Sequence, residues 1–268
     1  MGWFEARDPE INMQHLGTVG FGYKQWRGVF YPAGLKPASY LSFYANYFNS
    51  VEIDSSFYGT PKAETVDKWG RSVPDGFMFC PKTPQQITHD HRLHNMGDEM
   101  GHFVETMGRL GGKLGPILIQ MPPDFTTAER APLLRFLDQL PPNVRYALEF
   151  RHLSWEKSNI NQLLAERNVC RVSADYVIMP KLLHITTDFV YLRFLGRHGR
   201  YLTKDRELWD PTAELQRWNA RLSRFNGTLF GYFNNDYSGY SPEACRKFKQ
   251  MRGLSAELPQ NPVQGTLF

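Results

Sequence analysis

Eight short apolar segments, beginning near positions 17, 50, 77, 115, 146, 169, 189 and 228, alternate along the chain with stretches of helical periodicity. No other feature restricts the fold as much. A strand covered on both faces reads as a nearly unbroken apolar run, whereas an amphipathic helix repeats its apolar residues every three or four positions. Tyr40, Leu41, Tyr44, Ala45 and Phe48 follow the helical spacing, and Ser50-Val51-Glu52-Ile53-Asp54 reads as a strand directly after them. Such alternation predicts an α/β fold with a parallel sheet, and eight repeats predict a single closed (β/α)8 TIM barrel. The sixth strand, Val169 to Asp175, and the seventh, from Phe189, lie too close for a full crossover helix, so that connection is expected to be irregular. Residues 1–14 read as an irregular N-terminal segment, 15–253 as the barrel domain and 254–268 as a flexible C-terminal tail.

Barrel enzymes carry their sites at the C-terminal ends of the strands, and alternate residues of each strand face the lumen. Polar residues cluster at those ends. Glu52 shares its parity with Asp54, Lys82 with Cys80 and Met78, Gln120 with Leu118, and Glu149 with Arg151. Asp175 goes with Ser173, Arg193 with Tyr191, and Asn234 with Tyr232. The stretch Tyr146-Ala147-Leu148-Glu149-Phe150-Arg151-His152-Leu153-Ser154-Trp155 places three ionisable groups at the end of a buried strand, which is costly unless they pair or meet a ligand. Glu149 and Asp175 are the predicted acid and base, with Glu52 and His89 beside them as catalytic candidates. Lys82, Gln120, Arg151 and Arg193 would hold an anionic oxygen, and Tyr23, Trp26 and Trp155 would stack on the substrate or cover it. The competing reading is that these charges only neutralise one another.

Three cations around the carboxylates oppose a metal ion, so neither metal nor cofactor is expected, a divalent ion being the disfavoured option. A net charge of +4 and a pI near 8.9 permit an anionic partner without requiring one. Cys80, Cys170 and Cys245 form no C-x-x-C pair, which fits a reducing compartment. With no apolar run long enough for a signal peptide or a membrane span, a cytoplasmic location is expected.

Several dispersed motifs then carry a family resemblance. Gly17-Thr18 with Gly20, Trp26-x-Gly28-x-Phe30-Tyr31-Pro32, Val51-Glu52 with Phe57-Tyr58, Phe79-x-x-Lys82 with Ile87-Thr88-His89, and Gln120-x-Pro122-Pro123 come in that order. Glu149-Phe150-Arg151-His152-x-x-Trp155, Asp175 and Phe233-Asn234-Asn235 complete the set. Together they resemble the DUF72, or YecE-like, family over about residues 15–250. The resemblance implies a TIM barrel similar to those of endonuclease IV and xylose isomerase, hence hydrolase or isomerase chemistry on nucleic acid or a sugar phosphate. Its motifs add Tyr58, His152, Asn234 and Asn235 to the substrate-binding candidates. The chain departs from the family pattern at Val19, at Phe21 and at Phe194-Leu195-Gly196, so nothing is carried over to Val19, Phe21 or His198.

The last residues, Gln264-Gly265-Thr266-Leu267-Phe268, resemble the Q-x-x-L-F peptides that dock on the bacterial DNA sliding clamp, which makes Gln264, Leu267 and Phe268 partner-binding candidates. Two readings therefore stand. One is an enzyme acting on a phosphate-bearing substrate at the mouth of the barrel; the other is a non-catalytic nucleic-acid-associated protein recruited through its tail.

Overall fold

The computed structural model describes residues 13–259. Nine strands are all paired in parallel: β1 (Gln14–Val19), β2 (Ser50–Ile53), β3 (Met78–Pro81), β4 (Ile117–Gln120), β5 (Tyr146–Glu149), β6 (Val169–Arg171), β7 (Ser173–Asp175), β8 (Phe189–Phe194) and β9 (Thr228–Phe233). Between and after them lie α1 (Tyr40–Tyr44), α2 (Ala63–Arg71), α3 (Gly97–Gly108), α4 (Arg130–Asp138), α5 (Ile160–Ala165), α6 (Thr212–Leu222), α7 (Asn235–Ser238) and α8 (Ser241–Met251). Residues 176–188, between β7 and β8, hold no helix.

The strands pair in two sheets rather than one closed ring: six in the order β3-β2-β1-β9-β8-β7 and three in the order β4-β5-β6. Between β3 and β4 only isolated bridges remain, Phe79 with Leu114 and Lys82 with Leu118. Pro81 has no N–H to donate across that gap, which breaks the ladder where a parallel pair needs evenly spaced bonds. The second interruption lies at Val172, inside the segment expected as one sixth strand. Its amide donates to Leu148 O at 2.9 Å, so β6 stays with β5 while β7 turns to β8. The first strand starts at Gln14, earlier than the expected position near 17, and it ends at Val19, where Gly20 takes a left-handed φ of 71° and turns the chain.

Two apolar layers follow from strand alternation. One face of the strands packs against the helices. On the other, Val19, Met78, Cys80, Leu118, Ala147, Cys170, Val172, Phe189, Tyr191, Phe230 and Tyr232 gather residues of both sheets into one cluster. Gly17 has no room for a side chain: a Cβ there would lie 1.9 Å from Ser50 O and 2.7 Å from the Tyr44 hydroxyl. That hydroxyl accepts from Thr18 N–H at 2.8 Å and donates to Ser50 O at 3.0 Å, stitching β1 to β2. Gly17→Ala must part those strands, and a loss of about 3 kcal/mol is expected in urea unfolding; a stability equal to wild type would show that the contact is looser.

Candidate functional site

At the C-terminal ends of β2, β5 and β8 a buried ionic network closes the inner cluster. Burying a carboxylate is tolerable only with full pairing, and Glu52 and Glu149 are almost wholly shielded, at 0% and 1% exposure. Arg193 serves both. Its Nε and Nη2 hold Glu52 at 2.9 and 2.6 Å, and its Nη1 donates to Glu149 Oε2. Tyr191, two residues earlier on the same face of β8, adds its hydroxyl to Glu52 Oε2 at 2.9 Å. Glu149 Oε1 accepts from Arg151 Nε. Burial pushes Glu52 above the usual carboxylate range despite Arg193. For Glu149 burial acts the same way, but Arg151 and Arg193 outweigh it and hold the carboxyl below its ordinary value. Arg193 would be lowered by burial, yet Glu149 and Glu52 raise it well above the usual guanidinium range, so it stays charged.

Above this network sit groups with free valence. Arg151 lies over the Tyr176 ring at 4.3 Å, and its two Nη atoms make no hydrogen bond among the described residues. Lys82 Nζ lies 3.1 Å from Asp54 and 3.9 Å above the Phe57 ring, and burial lowers its pKa against the pull of Asp54. His89, half-buried, packs edge-on against the same Phe57 at 4.9 Å with Nδ1 2.8 Å from Thr88 Oγ1. Burial and then Lys82 lower the His89 pKa, with Arg151 acting in the same direction. The shift favours the neutral imidazole, which lies within electrostatic reach of both cations. Chemically, this arrangement offers two cations for an anionic oxygen and a neutral imidazole for proton transfer. Phe57, Tyr176 and Tyr191 were not among the expected site residues; the only sequence signal for Phe57 is its place in the Phe57-Tyr58 motif.

A family model described as a protein of unknown function, DUF72, matches residues 15–266. The chain belongs to the DUF72 family. YecE of Escherichia coli K12 is 35% identical over 259 residues, covering 85% of this chain and 92% of YecE, and YunF of Bacillus subtilis is 27% identical over 272 residues, covering 90% and 94%. A DUF72 protein of Thermotoga maritima superposes with a TM-score of 0.76 at 28% identity, covering 90% of this chain and all of its own. One from Enterococcus faecalis reaches a TM-score of 0.73 at 23% identity, covering 91% of this chain and 98% of that one, and shares the fold.

Several motif residues of this DUF72 chain do not reach the network. Asp175 faces the helices: its Oδ2 accepts from Trp218 Nε1 at 2.9 Å and the Tyr237 hydroxyl at 3.0 Å, and Lys181 lies 2.8 Å from Oδ1. Arg171 and Ser173 share that parity, the arginine bound to Asn161 and Glu156 and the serine accepting from His184 N–H. Cys170 and Val172 are the residues turned to the inner cluster. The pairing of Asp175 with Glu149 as acid and base is thereby corrected. Trp26 and Trp155, expected to cover a substrate, are both fully buried. Trp26 Nε1 donates to Asn235 Oδ1 at 3.3 Å, and Trp155 is stacked on Phe125 and Phe150 with Nε1 on Phe125 O at 2.8 Å.

Other candidates hold backbone. His152 Nδ1 accepts from Ser154 N–H at 3.1 Å, Asn234 Oδ1 accepts from Asp236 N–H at 2.9 Å, and Asn235 Oδ1 accepts from Ser241 N–H at 3.1 Å. Gln120 Nε2 donates to Met121 O at 3.0 Å. Tyr23 is half-buried with its hydroxyl on Val19 O at 2.6 Å, and Tyr58 is 78% exposed. Gln264, Leu267 and Phe268 lie outside the described residues.

Among the described residues no group of three or more His, Cys, Asp or Glu side chains is placed to hold a metal ion, and no helix is long and apolar enough to cross a membrane. A cavity of about 850 Å³ lined by Val29, Tyr47, Tyr240 and Arg246, among others, contains none of the network residues.

Proposed function

We propose that the two sheets form one (β/α)8 barrel and that its C-terminal mouth binds, and chemically transforms, a phosphate-bearing substrate. Support for the barrel comes from the bridges between β3 and β4, from the single inner cluster fed by both sheets, and from β6 and β7 being one segment paired to each sheet in turn. One observation carries the site: Arg151 and Lys82 present nitrogen donors beside His89, whose pKa burial lowers, above two carboxylates paired with Arg193 and with Arg151 Nε. Arg151 and Lys82 hold the anion. His89 takes or gives the proton, because both oxygens of Glu149 and of Glu52 are occupied by donors. Glu149 is a positioning residue that aims Arg151, and Glu52 does the same for Arg193.

Calorimetric titration with inorganic phosphate tests the binding step. Wild type is expected to bind, and Arg151→Ala to weaken binding at least about tenfold, the usual loss for a charge-assisted contact. Lys82→Ala should act in the same direction. His89→Ala is expected to remove turnover of a phosphate monoester while leaving phosphate bound. A wild-type chain that ignores phosphate, or an Arg151→Ala chain that binds it equally well, would sink the reading.

A further inference from the structure

We infer that the substrate joins one anionic group to an apolar arm, an inference that rests on the anion reading of the mouth. Large apolar side chains stand exposed in the segments that carry Arg151 and the rings beneath the two cations. Tyr58 is 78% exposed, Val177 58%, Leu153 53% and Ile178 51%. Single exposed apolar residues are ordinary on a protein surface and need no explanation. These four, however, are tied by sequence and contact to the two cations. Tyr58 packs its ring 5.7 Å from Phe57, the ring beneath Lys82. Leu153 is two residues beyond Arg151, and Val177 and Ile178 follow Tyr176, on which Arg151 lies. They come from the segments after β2, β5 and β7, the same segments that carry Phe57, Arg151 and Tyr176.

The charged groups nearby point the same way. Asp54, its side chain 39% exposed, is paired with Lys82, and Asp124, 77% exposed, is paired with Arg92. Asp90 and Asp124 both act electrostatically on His89. A polyanion laid across this rim would meet those carboxylates, whereas a single phosphate at Arg151 and Lys82 with an apolar substituent over Leu153 and Val177 would not. The apolar contact adds affinity in proportion to the area removed from water.

Methylphosphonate and hexylphosphonate separate the two parts of the inference, since both carry the anionic group and neither can be hydrolysed at phosphorus–carbon by simple proton transfer. Wild type is expected to bind hexylphosphonate at least about tenfold more tightly than methylphosphonate. In the double variant Leu153→Ser, Val177→Ser that ratio should fall to about twofold, and Arg151→Ala should weaken both ligands. If wild type binds the two ligands equally, or the double variant keeps the full ratio, the apolar arm is refuted while the anion site stands. If neither ligand binds, the anion reading falls and this inference with it.

Discussion

Arg193→Met is expected to be among the most destabilising single substitutions in this fold, lowering the unfolding free energy by about 4 kcal/mol or more. The methionine fills much of the arginine's volume, so packing is largely kept. What disappears is every donor that Arg193 gives to Glu52 and Glu149, two carboxylates with almost no access to water. Tyr191 still serves one oxygen of Glu52 and Arg151 one of Glu149, which leaves an uncompensated buried charge. The pH dependence identifies the cause. Stripped of Arg193, the carboxyls are pushed above their unfolded pKa values by burial, so they contribute stability when protonated and lose it as pH rises through their folded pKa. The deficit relative to wild type should therefore shrink as the pH is lowered from 7 to 5 in urea unfolding. Replacing the carboxylates as well, in Glu52→Gln, Glu149→Gln, Arg193→Met, should recover much of the loss, because a neutral network needs no cation. A deficit independent of pH, or none, would mean that the network is not what holds this end of the sheets.

The parity of polar residues pointed from sequence to Glu52, Glu149 and Arg193, the members of this network at the ends of β2, β5 and β8. The same rule failed over Arg171, Ser173 and Asp175. It assumes that the helix-facing side of a strand offers no polar partners, and here Trp218, Tyr237 and Lys181 supply them to Asp175. Trp218 and Tyr237 come from α6 and α7, far from Asp175 in sequence, so a local pattern could not reveal them; Lys181 lies nearby in the connection before β8. Trp26 and Trp155 misled for a related reason. An indole is worth burying when its N–H finds an acceptor, and Asn235 and the Phe125 carbonyl provide it. The break at Val172 was invisible because both halves of the segment have ordinary strand composition; it arises from the segment having to pair with β5 and β8 in turn. Tyr176 under Arg151 and Phe57 under Lys82 likewise depend on loop geometry rather than on any spacing along the chain.

Acid should weaken this fold as the pH falls from 6.5 towards 4. His15, at the start of β1, is 2% exposed, stacked on Phe230 at 4.9 Å, and has no hydrogen-bond partner at either ring nitrogen among the described residues. Burial, helped by Arg145, lowers its pKa from 6.5 to about 4. His184, also buried, falls to about 4 through burial and then Arg171. In each case the folded state refuses a proton that the unfolded chain accepts. Stability is therefore intact above pH 6.5, lost progressively as pH falls from 6.5 towards 4, and changes no further from this source below that. Each histidine accounts for about 2 kcal/mol between pH 7 and pH 5 at about 1.4 kcal/mol per unit of pKa difference. His15→Leu removes one of them and also the unsatisfied ring nitrogens, so it should raise stability at pH 7 by about 1 kcal/mol. The gain over wild type should then grow to about 3 kcal/mol at pH 5. Urea unfolding of both proteins at the two pH values decides the matter, and a gain that does not increase on acidification would show that the imidazole of His15 takes up its proton inside the fold.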